Sequence, residues 1–347
     1  MKDIRRAGYD DILAFLGANG EKGFRAKQID EWLWKKGCFS FDEMSNLPAV
    51  LRDLLKKSYE FAHLETDTVE QSADGTLKFL FRLPDNAKIE GVLIPTPKRV
   101  TACVSSQAGC PLKCAFCATG QMGFIRNLHF TEIFDQFLIM NRVAEENFGK
   151  RITNIVYMGM GEPLLNYENV MKSIELLTSP SAQAMSPQRI TLSTVGVVNG
   201  IRRLADENFP CGIAISLHCA DERKRLALIP STKTFPLAEI RDALAYFHKK
   251  TGERISIEYL LLDGITDTRG DAEKLWEFCK PFPAKINLIE YNDNNLQFRK
   301  SPEKKVKDFV AYLEARNMIV TVRHSRGKEI AAACGQLLVT QLNKSKK

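Results

Sequence analysis

The sequence predicts an α/β protein, an incomplete (βα)6-type parallel barrel preceded by a helical accessory segment and a small β-hairpin. Three observations predict it. Apolar residues recur at helical spacing from Tyr9 to about Tyr59, two period-two segments follow, and beyond Pro97 strand-like and helix-like segments alternate.

The accessory helices are marked by Ile12, Leu13, Phe15 and Leu16, by Ala26, Ile29, Trp32 and Leu33 before Gly37, and by Val50, Leu51, Leu54 and Leu55. The hairpin is expected from Thr76 to Leu83 and from Lys88 to Pro95, with Pro84, Asp85 and Asn86 as the turn. Barrel strands are expected at 100–104, 152–158, 189–195, 211–217, 255–262, 285–291 and 319–324. Amphipathic stretches such as Thr131 to Asn147 and Glu303 to Arg316 provide the covering helices. The chain therefore divides into an accessory segment at 1–95, a barrel at 96–342 and a basic tail at 343–347. In parallel folds of this kind chemistry sits at the carboxyl ends of the strands.

The chain has 347 residues and a formal charge of +7, a modest surplus that is compatible with a polyanionic partner but does not require one. No stretch approaches the roughly 18 uncharged apolar residues of a membrane span, and no signal or transit peptide is visible. Nine cysteines in such a chain point to metal ligands, reactive thiols and buried small side chains in a reducing cytoplasm rather than to a disulfide framework.

Three of these cysteines, Cys110, Cys114 and Cys117, fall within eight residues just after the first barrel strand. An iron–sulfur cubane usually takes four cysteine ligands, so three leave one iron open to an exogenous ligand. The radical SAM superfamily uses this spacing and fills the open position with S-adenosylmethionine (SAM). A zinc site completed by a residue such as His129, or three buried thiols without metal, are the alternatives. One unit later comes Met158-Gly-Met-Gly161-Glu162-Pro163, where glycine allows close backbone approach and Glu162 offers an acceptor to an ammonium. Ser193, Ser216 with Leu217 and His218, and Asn292 end three further strands.

Several segments together resemble the RlmN-type dual-specificity RNA adenine methyltransferases over nearly the whole chain. They are Gly23–Ile29, Arg99–Gln107, the Cys110–Cys117 loop with Ala118-Thr-Gly120, Gly159–Pro163, Ser216–His218 and Ala333-Cys-Gly-Gln336. The resemblance implies methylation of carbon 2 of one adenosine in 23S rRNA near the peptidyl-transferase centre and of the adenosine 3′ to the tRNA anticodon. It implies a 4Fe-4S cluster on Cys110, Cys114 and Cys117, and contacts to SAM from Gly161, Glu162, Ser193, Ser216, Leu217, His218 and Asn292.

Cys334 would carry the methyl group, Cys103 would be its partner thiol, and Glu90 the proton acceptor. Carbon 2 of adenine is electron-poor and cannot attack a methyl donor as an amine would, which is why a radical route is needed. Two SAM molecules are then consumed per turnover. The first methylates the Cys334 thiolate and the second is cleaved reductively, with flavodoxin or ferredoxin as the kind of electron donor required. Release of the RNA leaves a Cys103–Cys334 disulfide.

A monomer is expected. RNA recognition is less legible: Arg25, Lys27, Lys35 and Lys36, then Arg323, Arg326 and Lys328, are available for it, with Phe24, Trp32 and Trp34 for stacking, but acids such as Glu21, Asp30 and Glu31 dilute the first group and leave a solvated helix face as the alternative. Two other functions remain open at this point: methylation of carbon 8 of the same rRNA adenosine, and a noncatalytic RNA-binding protein with structural zinc.

Overall fold

The computed structural model describes residues 1–292 and 297–337, so the basic tail at 343–347 lies outside the described residues. One sheet of ten strands runs through the molecule. Its strands are β1 (Glu65–Gln71), β2 (Leu77–Arg82), β3 (Lys88–Pro95), β4 (Val100–Cys103), β5 (Asn154–Tyr157), β6 (Ile190–Thr194), β7 (Gly212–Ser216), β8 (Ile255–Leu261), β9 (Ala284–Glu290) and β10 (Ile319–Arg323). Each strand pairs with its neighbours in sequence: β1 to β4 antiparallel, β4 to β10 parallel.

All seven expected barrel strands form, as β4 to β10. Six helices make the crossovers between them: Phe130–Phe148, Tyr167–Thr178, Val198–Asp206, Leu237–Thr251, Arg269–Cys279 and Glu303–Glu314. Their apolar faces, such as Ile133, Phe134 and Phe137 or Val306, Phe309 and Leu313, are buried against the outer face of the sheet. The inner face is left for side chains such as Thr191, Ser193 and Ser256, which alternate with the outward apolar residues.

The expected hairpin is present but does not stand alone. β3 pairs onward with β4, which extends the barrel sheet. Beyond it lies β1, an additional edge strand. Its sequence, Glu65-Thr-Asp-Thr-Val-Glu-Gln71, is largely exposed and carries charges of the sort that blunt a sheet edge.

The accessory helices Tyr9–Ala18, Phe24–Asp30 and Ala49–Ser58 enclose a small core of their own around Ile12, Leu16, Ile29, Leu33, Leu51 and Leu55. Phe24–Asp30 continues into a π-helical turn, Glu31–Lys36, closed by Gly37 at φ 65°. Buried Arg5 ties this unit to the barrel through an ion pair with Asp135 on the first crossover helix and a 3.0 Å bond to the Ala62 carbonyl. Trp34 packs on Phe130 and Phe134, and Arg142 donates to the Gly37 carbonyl at 2.6 Å.

After β10 the chain folds back over the β1–β2 turn. The Glu329 carboxylate accepts from the Ser72 hydroxyl at 2.6 Å and the Ala73 N–H at 2.9 Å, while Gly327 N–H donates to Asp74. This anchoring holds the segment that carries Cys334 at the barrel mouth.

Candidate active site

The cysteine loop leaves the short strand Gln107–Gly109, which pairs with Phe124–Asn127. Gly109 has φ +74°, and a Cβ there would lie 2.0 Å from the Gly123 carbonyl, so the turn requires glycine. Gly120 is also closely held, since a Cβ would meet the Cys114 backbone N at 2.9 Å. Burial pushes the Cys110 thiol up to about 12 and raises Cys114 and Cys117, and Cys114 is raised further by its two neighbours. Without a cation the loop therefore favours thiols; a metal centre would bind by displacing their protons. His129 does not join them. Its ring accepts from Thr131 and caps the helix Phe130–Phe148.

The glycine turn after β5 wraps over the start of this loop. At Gly159 a Cβ would meet the Ser105 hydroxyl at 2.7 Å, and at Gly161, with φ +102°, it would meet Gln107 Cβ at 2.6 Å. Both positions are closed to larger residues. Glu162 is buried, accepts from Leu164 N–H at 3.1 Å and Val195 N–H at 2.8 Å, and is pushed up to about 7 by its burial. A cationic ligand amine beside it would reverse that penalty.

Ser193 at the end of β6 and Ser216 at the end of β7 share a 3.1 Å hydrogen bond. Leu217 is buried next to them, its N–H bonded to the Glu258 carbonyl at 3.1 Å. His218 adopts the left-handed conformation at φ 55°, packs edge-on to Phe116, and is held neutral by burial and by Arg225, with its pKa lowered to about 3. Its Nδ1 is buried and lacks a hydrogen-bond partner, as does Asn292 Oδ1, while Asn292 Nδ2 donates to the Cys334 carbonyl at 3.4 Å. Buried polar atoms left unmet just beyond the carboxyl ends of β7 and β9 are the mark of a ligand site.

Cys103 closes β4 and is buried; Cys334 is exposed, and both are free thiols. Burial first, and the neighbouring Cys334 next, push Cys103 up to about 12; Cys334 is raised too, and the Arg323 guanidinium opposes both shifts. Glu90 on β3 is buried, with its N–H on Met160 Sδ and its carbonyl accepting from the Ser105 hydroxyl at 2.6 Å.

The same inner face carries a polar group that the strand spacing alone did not single out. Glu258 on β8 accepts from Asn287 of β9 at 2.8 Å and from Arg323 of β10 at 3.0 Å. The alternation Ile255-Ser-Ile-Glu-Tyr259 was the available signal, because it places Ser256 and Glu258 together on the face opposite the apolar residues. Arg323, expected to meet RNA, points instead into this group. Of the other expected contacts, Trp34 is occupied by barrel aromatics and Arg326 donates to the Pro95 carbonyl, whereas Phe24 stays exposed beneath Arg25.

Fold and site together define a radical SAM enzyme, and residues 104–275 match the model of the radical SAM superfamily. Residues 4–61 match the N-terminal domain of ribosomal RNA large subunit methyltransferases. The chain belongs to the RlmN family of dual-specificity RNA methyltransferases. It is 46% identical over 337 residues to the "Probable dual-specificity RNA methyltransferase RlmN" of Flavobacterium psychrophilum, covering 97% of each chain. Against the protein of the same name from Christiangramia forsetii it is 46% identical, covering 97% of this chain and 96% of that one. A solved radical SAM methyltransferase from Sphaerobacter thermophilus superposes with a TM-score of 0.92 at 37% identity, over 98% of this chain and 100% of that one.

The residues fit the cofactors of that superfamily, a 4Fe-4S cluster and SAM. Among the described residues no three His, Cys, Asp or Glu side chains converge on a single metal ion, and a cubane asks for no such convergence because each cysteine binds its own iron. The unmet His218 and Asn292 atoms and the buried Glu162 carboxyl supply polar partners of the kinds an amino-acid and nucleoside ligand needs.

Proposed function

We propose that this enzyme methylates carbon 2 of one adenosine in 23S rRNA near the peptidyl-transferase centre and of the adenosine 3′ to the anticodon in tRNA. The observation that carries the reading is the pair Cys103 and Cys334, two free thiols that share the field of Arg323 at the end of a barrel whose cysteine loop, Cys110 to Cys117, opens beside them. Held by Cys110, Cys114 and Cys117, the cluster with its SAM would supply a methyl group and, separately, a carbon-centred radical.

The chain's own residues do the rest. Cys334 takes the methyl group on sulfur and presents it to the adenine; loss of one hydrogen atom from that methyl to the supplied radical would let its carbon bond to carbon 2, so that enzyme and RNA become covalently joined. Glu90 takes the proton lost from the ring, and the odd electron would return to the cluster. Cys103, as a thiolate, attacks the Cys334 sulfur, forming the Cys103–Cys334 disulfide and expelling the methylene carbon with the bond pair; that carbon takes a proton and leaves as the methyl group of the base. Gly161, Glu162, Ser193, Ser216, Leu217, His218 and Asn292 orient SAM. Support comes from their position at or just beyond the carboxyl ends of the parallel strands and from the buried atoms left unmet at His218 and Asn292.

In this reading the segment at 1–95 grips RNA and lends Glu90 to the barrel at 96–342. The enzyme works as a monomer in the cytoplasm, with a flavodoxin or ferredoxin as electron donor. Nine free cysteines agree with a reducing compartment, and no helix among the described residues is long and apolar enough to cross a membrane. Mass mapping of adenosine in RNA treated with the reconstituted enzyme tests the assignment. 2-Methyladenosine is expected; 8-methyladenosine, or no methylation by enzyme that has its cluster, would overturn it.

A further inference from the structure

One buried charge on the reaction face has no part in the scheme above: Lys78 on β2. It lies opposite Glu70 of β1 on one side and Val92 of β3 on the other, and Val92 lies opposite Cys103 of β4. Glu70, Lys78 and Cys103 therefore share a row across the sheet, and Glu90, two residues from Val92, shares their face. Lys78 Nζ is 3.3 Å from Glu70 Oε2 and 3.8 Å from Glu90 Oε1. The Lys78 and Glu90 side chains are 3% and 2% exposed, whereas Glu70 is 35% exposed. The ammonium thus bridges a carboxylate inside the barrel and one that reaches water.

Burying an ammonium is costly, and an apolar side chain of similar volume would often serve packing as well or better. A proton acceptor has a different need. Once Glu90 has taken the ring proton it must lose it before the next turnover, and its own carboxyl is shut off from solvent. We propose that Lys78 positions Glu90, and that Glu90, Lys78 and Glu70 form the route by which the substrate proton leaves the barrel. This rests on Glu90 being the proton acceptor. In the transfer Glu90 closes from 3.8 Å to hydrogen-bonding distance of Lys78, and the ammonium gives one proton to Glu70 while it takes one from the Glu90 carboxyl. Its charge is unchanged, no electron moves, and Glu70 releases the proton to water.

The test uses the full chain with its cluster reconstituted and an RNA fragment carrying protium or deuterium at carbon 2 of the target adenosine. Lys78→Met is expected to methylate Cys334 normally, read as a mass increase on the protein. Its covalent enzyme–RNA adduct should decay roughly a hundredfold more slowly, within the usual span of a lost acid–base function, and decay should show a deuterium isotope effect. Lys78→Arg should restore most of the rate. Glu70→Gln should pass through its first adduct at the wild-type rate and slow in later turnovers, when Glu90 still holds its proton, and be relieved by added formate, a small carboxylate able to reach the exposed end.

Adduct decay at the wild-type rate in Lys78→Met, or later turnovers at the wild-type rate in Glu70→Gln, would overturn the route. Should Lys78→Met also lose Cys334 methylation, general damage is indicated, and Glu70→Gln with formate decides alone. Glu90→Gln separates the two layers. If it stalls while the other variants do not, the exit route falls and the acceptor stands; if it decays normally, the acceptor assignment itself falls.

Discussion

Arg323 on β10 reaches across β9 to pair with Glu258 on β8 at 3.0 Å, so one guanidinium faces a buried carboxylate on one side and the thiols of Cys103 and Cys334 on the other. Arg323 is a basic side chain that acts to lower both thiols. The pair thereby sets the ease with which Cys334 becomes a nucleophile.

Replacing Arg323 with Met should therefore slow alkylation of Cys334 by iodoacetamide at neutral pH, because the thiolate loses its neighbouring cation. Because Glu258 keeps Asn287 and Arg323 is partly open to solvent, the stability cost should stay near 1–3 kcal/mol by denaturant titration. Arg323→Lys should recover part of the reactivity. Unchanged alkylation in Arg323→Met would remove the guanidinium from the thiol chemistry.

Changing Cys110, Cys114 and Cys117 together to Ala should abolish the brown chromophore and bound sulfide of anaerobically purified enzyme. Those three thiols are the cluster's expected protein ligands. A triple variant that keeps iron, sulfide and SAM cleavage contradicts the assignment.

Glu162 should reveal itself through pH. Burial pushes its carboxyl up to about 7, against about 4.3 for an unfolded chain. Between those values the folded protein holds a proton that the unfolded chain has lost, so this group favours the fold at low pH and that support is lost as pH rises through about 7. Unliganded wild-type enzyme should accordingly lose more stability than Glu162→Gln between about pH 5 and about pH 8. SAM affinity should run the other way, strengthening as the carboxylate forms. Glu162→Ala should keep the cluster and bind SAM at least about tenfold more weakly. Isothermal titration across pH measures both, and an affinity indifferent to pH and to Glu162 would exclude this carboxylate from the SAM site.

Cys103 and Cys334 should fail differently. Cys334→Ala lacks the methyl carrier and should give neither methylated RNA nor an adduct, although uncoupled SAM cleavage can continue. Cys103→Ala should reach the adduct and stall there, leaving RNA-linked protein on a denaturing gel. Normal turnover by Cys103→Ala, or residual methylation by Cys334→Ala, would disprove the two-cysteine scheme while leaving the radical SAM assignment in place.

The barrel was legible because its inner strands carry apolar side chains toward the helices at a fixed alternation, and Cys110, Cys114 and Cys117 were legible because they fall within eight residues. β1 was not, since an edge strand made of Glu65, Thr66, Asp67, Thr68 and Glu70 has the composition of a loop. The Glu258, Asn287 and Arg323 group was hidden for another reason. Its members lie on three strands separated by whole crossover helices, and only the strand order brings them together. Lys78 and Glu90 are closer in sequence, but their meeting depends on hairpin register, which a shift of one residue would have reversed.

The buried Arg5–Asp135 pair makes the helical unit and the first crossover helix parts of one rigid frame. A hinge at that junction would have to expose two charges at once, so swinging of the accessory unit is costly. If the accessory unit holds RNA as proposed, the spacing between it and the reaction mouth is a built-in ruler. An RNA held at both places would have to adapt its own shape to that ruler, so that the energy of adaptation would fall on nucleic acid rather than on protein.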